Sequence, residues 1–106
     1  MFTGIVQGVA TVGALTDRAG LRTLSVSFPP GFLSGVEIGA SIALDGVCLT
    51  VTAFDESAAK ADFDVMQQTL NLTTLGRLQV GSRVNAERAA REGAEVERAP
   101  FPIVIH

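Results

Sequence analysis

Small polar side chains alternate with apolar ones in two short segments near the middle of the chain, 39–44 and 47–52. Ser41 and Ala43 alternate in the first segment, and Cys48 and Thr50 in the second. Hydroxyl groups donate and accept hydrogen bonds to polar ligands, and small side chains leave room for a flat ring. The alternative is a solvated strand surface, although such a surface usually carries Lys, Glu or Arg, and this one carries none. The pattern therefore leaves open a ligand-facing surface or a solvated one.

The dipeptide Asp45-Gly46 between these segments predicts a β-hairpin. A type I′ turn needs positive φ at both central residues, and Asp-Gly is well suited to it. The two-residue turn fixes the register, and it pairs Leu44 with Val47, Ala43 with Cys48, Ile42 with Leu49 and Ser41 with Thr50. Because strand side chains alternate between faces, the first and third pairs form a core face. The other two pairs form the small, mildly polar face.

A second group of candidate residues follows in a predicted strand over 61–66. Phe63 and Val65 occupy one face of it, and Asp64 and Met66 occupy the other. Asp64 could accept hydrogen bonds from ligand hydroxyls, and Met66 could pack on a ring. The alternatives are a surface carboxylate at a strand end and a methionine that fills the core.

A short helix is predicted after this strand, over 67–75, with Leu70 and Leu75 facing inward. Gln68 and Thr69 start this helix, and the N-terminus of a helix supplies unpaired backbone N–H groups close to the same pocket. The alternative for Thr69 is a plain N-cap.

Composition limits the classes of protein that this chain can be. Its 106 residues, of which 47% are hydrophobic, predict one domain with a packed core. The single cysteine excludes an internal disulfide and a cysteine-built metal site, so no metal is expected. No cationic residue stands beside Cys48 in the sequence, so we expect a packing role for it rather than a nucleophilic one. The only histidine is His106, the last residue.

Charge and hydropathy exclude two kinds of partner. The net charge is −3 and the basic residues are scattered, which argues against a nucleic-acid surface. No apolar run approaches the length of a membrane span, and the N-terminus lacks the pattern of a signal peptide. A cytoplasmic protein without nucleic-acid or membrane partners is therefore expected.

Six short strands at regular spacing predict an all-β fold, a small antiparallel barrel with one or two short helices. The predicted strands are 3–15, 21–28, 39–44, 47–52, 61–66 and 82–89. Glycines interrupt the first of them, as at a bulge or a barrel corner. The barrel is expected to occupy residues 1–91, and 92–106 form a C-terminal tail of different character.

Several motifs occur in order along residues 1 to 91. They are Met1-Phe-Thr-Gly-Ile-Val6, Gly39-Ala-Ser41, Asp45-Gly-Val-Cys-Leu-Thr-Val-Thr52, Phe63-Asp-Val-Met66, Thr69-Leu70 and Val84-Asn-Ala-Glu-Arg-Ala89. Together they resemble the N-terminal half of riboflavin synthase. The resemblance implies a six-stranded antiparallel barrel with Greek-key connections. That enzyme family joins two such barrels, binds two molecules of 6,7-dimethyl-8-ribityllumazine, and transfers a four-carbon unit between them to give riboflavin and a pyrimidinedione.

The resemblance also implies a ligand site. Hydroxyl and carboxylate groups of Ser41, Thr50 and Asp64 would meet the ribityl chain, and backbone groups of 47–50 would read the pyrimidine edge. The full set of predicted ligand-binding residues is Ser41, Val47, Cys48, Leu49, Thr50, Asp64, Val65, Met66, Gln68 and Thr69. Phe2 and Cys48 would lie near the reacting centre if the chain is an enzyme.

The sequence departs from the enzyme pattern after residue 90. The family continues into a histidine-containing segment that opens a second barrel, whereas this chain reads Arg91-Glu-Gly-Ala-Glu-Val-Glu-Arg98. We therefore expect a single barrel that binds riboflavin, FMN or the lumazine as ligand, with no required cofactor and no efficient turnover. The alternative is a half-size riboflavin synthase that acts as a homo-oligomer. An excised domain of a longer enzyme is disfavoured by the divergent tail. A homodimer or higher homo-oligomer is expected, because a lone barrel exposes the apolar surface that a second barrel would cover.

Overall fold

The computed structural model describes residues 5–89, and six strands account for most of them. They are β1 (Gly8–Arg18), β2 (Leu21–Ser27), β3 (Ser41–Leu44), β4 (Val47–Asp55), β5 (Lys60–Met66) and β6 (Arg83–Arg88). They close into a barrel in the order β1-β2-β5-β4-β3-β6, and every pair of neighbours is antiparallel. Strands β3, β4 and β5 follow one another, and β6 returns beside β3, which is a Greek key. The predicted barrel is confirmed.

The first strand pair differs from the prediction at both ends. β1 begins at Gly8 and continues to Arg18, past the predicted end at residue 15. Arg18 pairs with Leu21, so the connecting turn contains only Ala19 and Gly20, and the φ of Gly20 is +71°. A turn this tight lets both strands extend. The register of β1 shifts between Val12 and Ala14, at the predicted glycine bulge.

Large apolar side chains fill the interior of the barrel. Phe63 and Leu24 are fully buried. The ring of Phe28 stacks on Phe32 at a centroid distance of 4.9 Å and meets Phe63 edge-on at 6.2 Å. The interior is therefore a packed core rather than a ligand cavity, as in other small barrels. Any binding site on this barrel must lie on its outer surface or at its ends.

One end of the barrel carries the helix α1 (Gln67–Leu72) and a 3₁₀ helix at Thr74–Arg77. Leu70 and Leu75 are buried, as predicted. The prediction of one continuous helix is wrong at Thr73, which has an extended backbone. The Thr73 hydroxyl donates to the Thr69 carbonyl and accepts from the Leu75 N–H, so it ends one helix and caps the next.

Candidate functional site

The β3–β4 hairpin has the geometry that its sequence predicts. Asp45 and Gly46 have φ of +49° and +81°, as a type I′ turn requires. All four predicted pairs occur, from Leu44↔Val47 at the turn to Ser41↔Thr50. Apolar side chains of the core face are buried or half-buried, whereas Cys48 and Thr50 are exposed on the outer face. The two predicted faces are therefore confirmed.

Fewer residues of the outer face are exposed than the sequence indicates, because Ala43 is only 3% exposed. It pairs with Glu87 of β6, and both residues line a cavity of about 400 Å³ together with Val6 and Asp45. Val47 lines a neighbouring cavity of about 500 Å³ at the hairpin tip. Both cavities are at the turn end of the hairpin, away from Thr50.

Strand β5 presents the second group of candidates as predicted. Phe63 and Val65 are buried, and Asp64 and Met66 are exposed. Met66 is 66% exposed, so it does not fill the core. The side chains of Val65 and of Leu49 on β4 point into the barrel, so only their backbone atoms could meet a ligand on the outer surface.

The pairing of β4 with β5 stops short of the exposed residues Cys48 and Met66. Within the described residues, the pairing of β4 with β5 runs from Asp55↔Lys60 only as far as Val51↔Phe63. Residues 47–50 pair with β3 on their other side, and residues 64–66 pair with β2. Continuing the register would place Thr50 opposite Asp64 and Cys48 opposite Met66. We refer to the region bounded by 47–50 and 64–66 as the β4–β5 slot.

Backbone polar groups also face the β4–β5 slot. Val51 donates its N–H to the Ala40 carbonyl, toward β3, and Gln67 donates its N–H to the Gly20 carbonyl, toward β2. Because successive residues of a strand direct their N–H and C=O groups to opposite sides, those of Cys48 and Met66 point toward each other across the slot. Such backbone groups can hydrogen-bond the edge of a planar ligand that carries donors and acceptors.

The side chain of Asp64 and the backbone of Ser41 are held by partners on neighbouring strands. Asp64 Oδ1 accepts from the Thr23 hydroxyl at 2.6 Å and lies 3.6 Å from Arg18 Nη2. Ser41 is half-buried, and its carbonyl accepts from the Ala89 N–H at 3.1 Å. The site therefore offers hydroxyl, thiol and carboxylate groups on a shallow outer surface.

The remaining candidates lie beside the slot or outside the described residues. α1 begins at Gln67 with Met66 as its N-cap, so the alternative that made Thr69 the N-cap is wrong. Thr69 is half-buried inside the helix, and Gln68 is exposed one position before it. Phe2 and the tail 92–106 lie outside residues 5–89.

Two carboxyl groups whose pKa is lowered lie on other parts of the barrel. The Arg22 guanidinium hydrogen-bonds Asp17 and lowers the pKa of that carboxyl. Hydrogen bonds from Ser57 and Ala58 lower the pKa of Asp55.

Residues 5–89 bring together no three His, Cys, Asp or Glu side chains that could hold a metal ion. In the same part of the chain, neither helix has the length and apolar character that crossing a membrane requires.

Comparison with known proteins points to one family. Residues 3–89 match the model of the lumazine binding domain. Riboflavin synthase of Escherichia coli (strain K12) is 46% identical over 96 residues, which are 91% of this chain and 44% of that protein. The blue fluorescence protein of Aliivibrio fischeri is 40% identical over 108 residues, covering 88% of this chain and 52% of that protein.

Solved structures give the same result. LumP complexed with riboflavin superimposes with a TM-score of 0.76 at 31% identity, over 88% of this chain and 51% of LumP. LumP complexed with 6,7-dimethyl-8-(1'-D-ribityl) lumazine gives a TM-score of 0.75 at 32% identity, over 85% of this chain and 49% of LumP. The chain thus spans about half the length of the relatives that it matches.

Proposed function

The chain belongs to the lumazine-binding domain family, and on that premise we propose that its barrel binds riboflavin, FMN or 6,7-dimethyl-8-ribityllumazine in the β4–β5 slot without efficient turnover. The β4–β5 slot itself carries the proposal. It combines exposed Cys48 and Thr50 on one strand with exposed Asp64 and Met66 on the other. Structures of the related LumP with riboflavin, with flavin mononucleotide and with the lumazine support this choice of ligands.

Each part of such a ligand has a counterpart in the slot. The pyrimidine edge presents donors and acceptors, which suit the backbone groups of Cys48 and Met66. The Met66 thioether can pack on the ring. The ribityl hydroxyls can bond the side chains of Ser41, Thr50 and Asp64, and Asp64 as a carboxylate gives the strongest of these bonds. Gln68 and Thr69 lie at the edge of the slot, beyond Met66.

The exposure of the residues at the slot is the reason that a partner is part of the proposal. Met66, Cys48 and Thr50 are exposed, so a ring bound against them keeps one face open to water. A second copy of the chain can cover that face, and we propose a homodimer or higher homo-oligomer on this ground. We also propose a cytoplasmic location, which the free and exposed Cys48 supports, because such thiols persist in reducing compartments.

The alternative function is a half-size riboflavin synthase, favoured by the 46% identity with the Escherichia coli enzyme. Two slots facing each other across a two-fold axis would hold the two lumazine molecules that the reaction needs. The transfer also needs positioned proton donors and acceptors, which typically contribute about 10²- to 10⁴-fold in rate. The polar side chains at the slot are hydroxyls, a thiol and a carboxylate that already bonds Thr23.

Two measurements on the purified chain test the proposal. Titration into riboflavin should quench the flavin fluorescence and saturate at one ligand per barrel. Incubation with the lumazine should leave the absorbance of riboflavin at its blank level. Absence of saturable binding to all three ligands would refute the binding function, and steady formation of riboflavin would establish the alternative.

A further inference from the structure

Thr23 of β2 stands between an arginine and an aspartate on the outer face of the barrel. Arg18 Nη2 donates to Thr23 Oγ1 at 3.0 Å, and Thr23 Oγ1 donates to Asp64 Oδ1 at 2.6 Å. Arg18 Nη2 is also 3.6 Å from the same carboxylate oxygen. The three residues belong to β1, β2 and β5, and β2 pairs with both of the others. The chain of contacts therefore ends at the β4–β5 slot.

The direction of these hydrogen bonds is fixed by the chemistry of the groups. A guanidinium only donates, so Thr23 must accept from Arg18. The one hydroxyl proton of Thr23 is then left for Asp64. An ionised carboxylate has about four acceptor positions, so the bond from Thr23 leaves others for a ligand. The effect is to hold the Asp64 carboxylate in one orientation while most of its acceptor capacity stays available.

We propose that Thr23 is a positioning residue for the polyhydroxyl chain of the ligand. With Arg18 behind it, Thr23 orients Asp64 before the ligand arrives, which lowers the entropy lost on binding. The inference rests on the proposed function and adds a residue and a selectivity to it. The slot should favour flavins and lumazines that carry a polyhydroxyl chain over the same rings without one.

A purely structural role fits the arrangement less well. The side chains of Arg18 and Asp64 are 61% and 36% exposed. Ion pairs at such positions contribute little to folding, since water and salt screen them. The value of the contacts is therefore in orienting Asp64, and the test should separate orientation from stability.

The test compares two ligands and three variants. Riboflavin carries the ribityl chain, and lumichrome has the tricyclic ring without it. Thr23→Val removes the hydroxyl but keeps a branched side chain that suits a strand. Thr23→Ser keeps the hydroxyl. Thr16→Val is the matched control, because Thr16 is an exposed threonine of β1 that pairs with Thr23.

We expect Thr23→Val to bind riboflavin about three- to tenfold more weakly, because the Asp64 side chain must then be ordered when the ligand binds. Its affinity for lumichrome and its melting temperature should match the parent. Thr23→Ser should restore riboflavin affinity, and Thr16→Val should leave it unchanged. In the free protein, side-chain couplings measured by NMR should show one Asp64 rotamer in the parent and averaging in Thr23→Val.

Three results would overturn the inference. The first is unchanged riboflavin affinity in Thr23→Val, with the parent binding normally. The second is an equal loss for riboflavin and lumichrome, which would indicate a distorted ring site. The third is rotamer averaging of Asp64 in the parent itself. If the parent protein bound neither riboflavin nor the lumazine, this result would instead refute the proposed function, and with it the role of Thr23 that depends on it.

Discussion

Asp45 and Asn85 are joined by two reciprocal hydrogen bonds, one through the backbone of Asp45 and one through its carboxylate. The Asp45 N–H donates to the Asn85 carbonyl at 2.8 Å, and Asp45 Oδ1 accepts from the Asn85 N–H at 2.7 Å. The pairing of β3 with β6 ends one residue earlier, at Leu44↔Ala86. Because Asp45 has already left the extended conformation, its side chain supplies the acceptor that the ladder would otherwise need. The turn residue of the hairpin therefore also anchors the last strand.

Substitutions at Asp45 should separate these two roles. Asp45→Asn keeps a side-chain oxygen and tolerates positive φ, whereas Asp45→Gly keeps only the freedom of φ. We expect Asp45→Asn to be close to the parent in stability and Asp45→Gly to lose about 1 kcal/mol, the net value of one hydrogen bond. Urea denaturation gives both free energies of unfolding. Equal losses in the two variants would show that the bond to Asn85 contributes nothing.

The hairpin is the part of the site that the sequence predicts best. Asp45-Gly46 has one favoured turn geometry, and that geometry sets the register and both faces of β3 and β4. The face of β5 follows in the same way from its alternation. These are local patterns, in which each residue's environment depends on its immediate neighbours in the chain.

The parts that the sequence does not predict depend on which strands become neighbours. Ala43 is buried and pairs with Glu87 of β6, which returns beside β3 from about 40 residues away, and no pattern near Ala43 in the chain marks this pairing. Thr23 lies 41 positions before Asp64, and its contact exists only because β2 pairs with β5. The β4–β5 slot itself arises where the pairing of two strands stops, which no pattern within either strand indicates.

Gly76 should be intolerant of any side chain, since a Cβ built on it would overlap the backbone carbonyl of Leu70. Gly76→Ala therefore must push the 3₁₀ helix away from α1, and overpacking of this kind costs about 1–3 kcal/mol. Gly13→Ala is the matched control, because its Cβ would meet the Ser25 carbonyl at an ordinary 3.6 Å. Thermal denaturation should show a lower melting temperature for Gly76→Ala only. Similar values for both variants would mean that the helical end adjusts freely.

Acid should weaken the fold partly through Asp17. The hydrogen bond from Arg22, with Nε at 2.6 Å, holds the pKa of the Asp17 carboxyl below its usual value. A carboxyl whose folded pKa is lowered stabilises the fold above its unfolded pKa, and this contribution is lost as pH falls through the folded value. The melting temperature should therefore decline below about pH 4, and less steeply in Asp17→Asn.

The effect of Asp17 should be small and sensitive to salt, because the pair is at the surface. The melting temperature of Asp17→Asn should still decline somewhat in acid, since the pKa of Asp55 is also lowered. If the melting temperature of Asp17→Asn fell with pH as steeply as that of the parent, the loss of stability in acid would not come from the Asp17–Arg22 pair.

Thr50→Val tests whether the outer face of β4 binds the ligand. Valine matches threonine in shape and suits a strand, so the fold should survive and only one hydroxyl is lost. If that hydroxyl bonds a buried ligand group, the free energy of riboflavin binding should become about 1–3 kcal/mol less favourable in Thr50→Val. This corresponds to a Kd that is about five- to 150-fold higher. Thr11→Val makes the same change on the exposed face of β1 and should leave Kd unchanged. Val51→Ala, in the core, should lower the melting temperature but leave the Kd of the folded protein nearly intact. Fluorescence titration gives the Kd of all three variants for riboflavin. If Thr50→Val binds riboflavin as tightly as the parent, while folded Val51→Ala loses binding, the ligand does not bind on the outer face of β4.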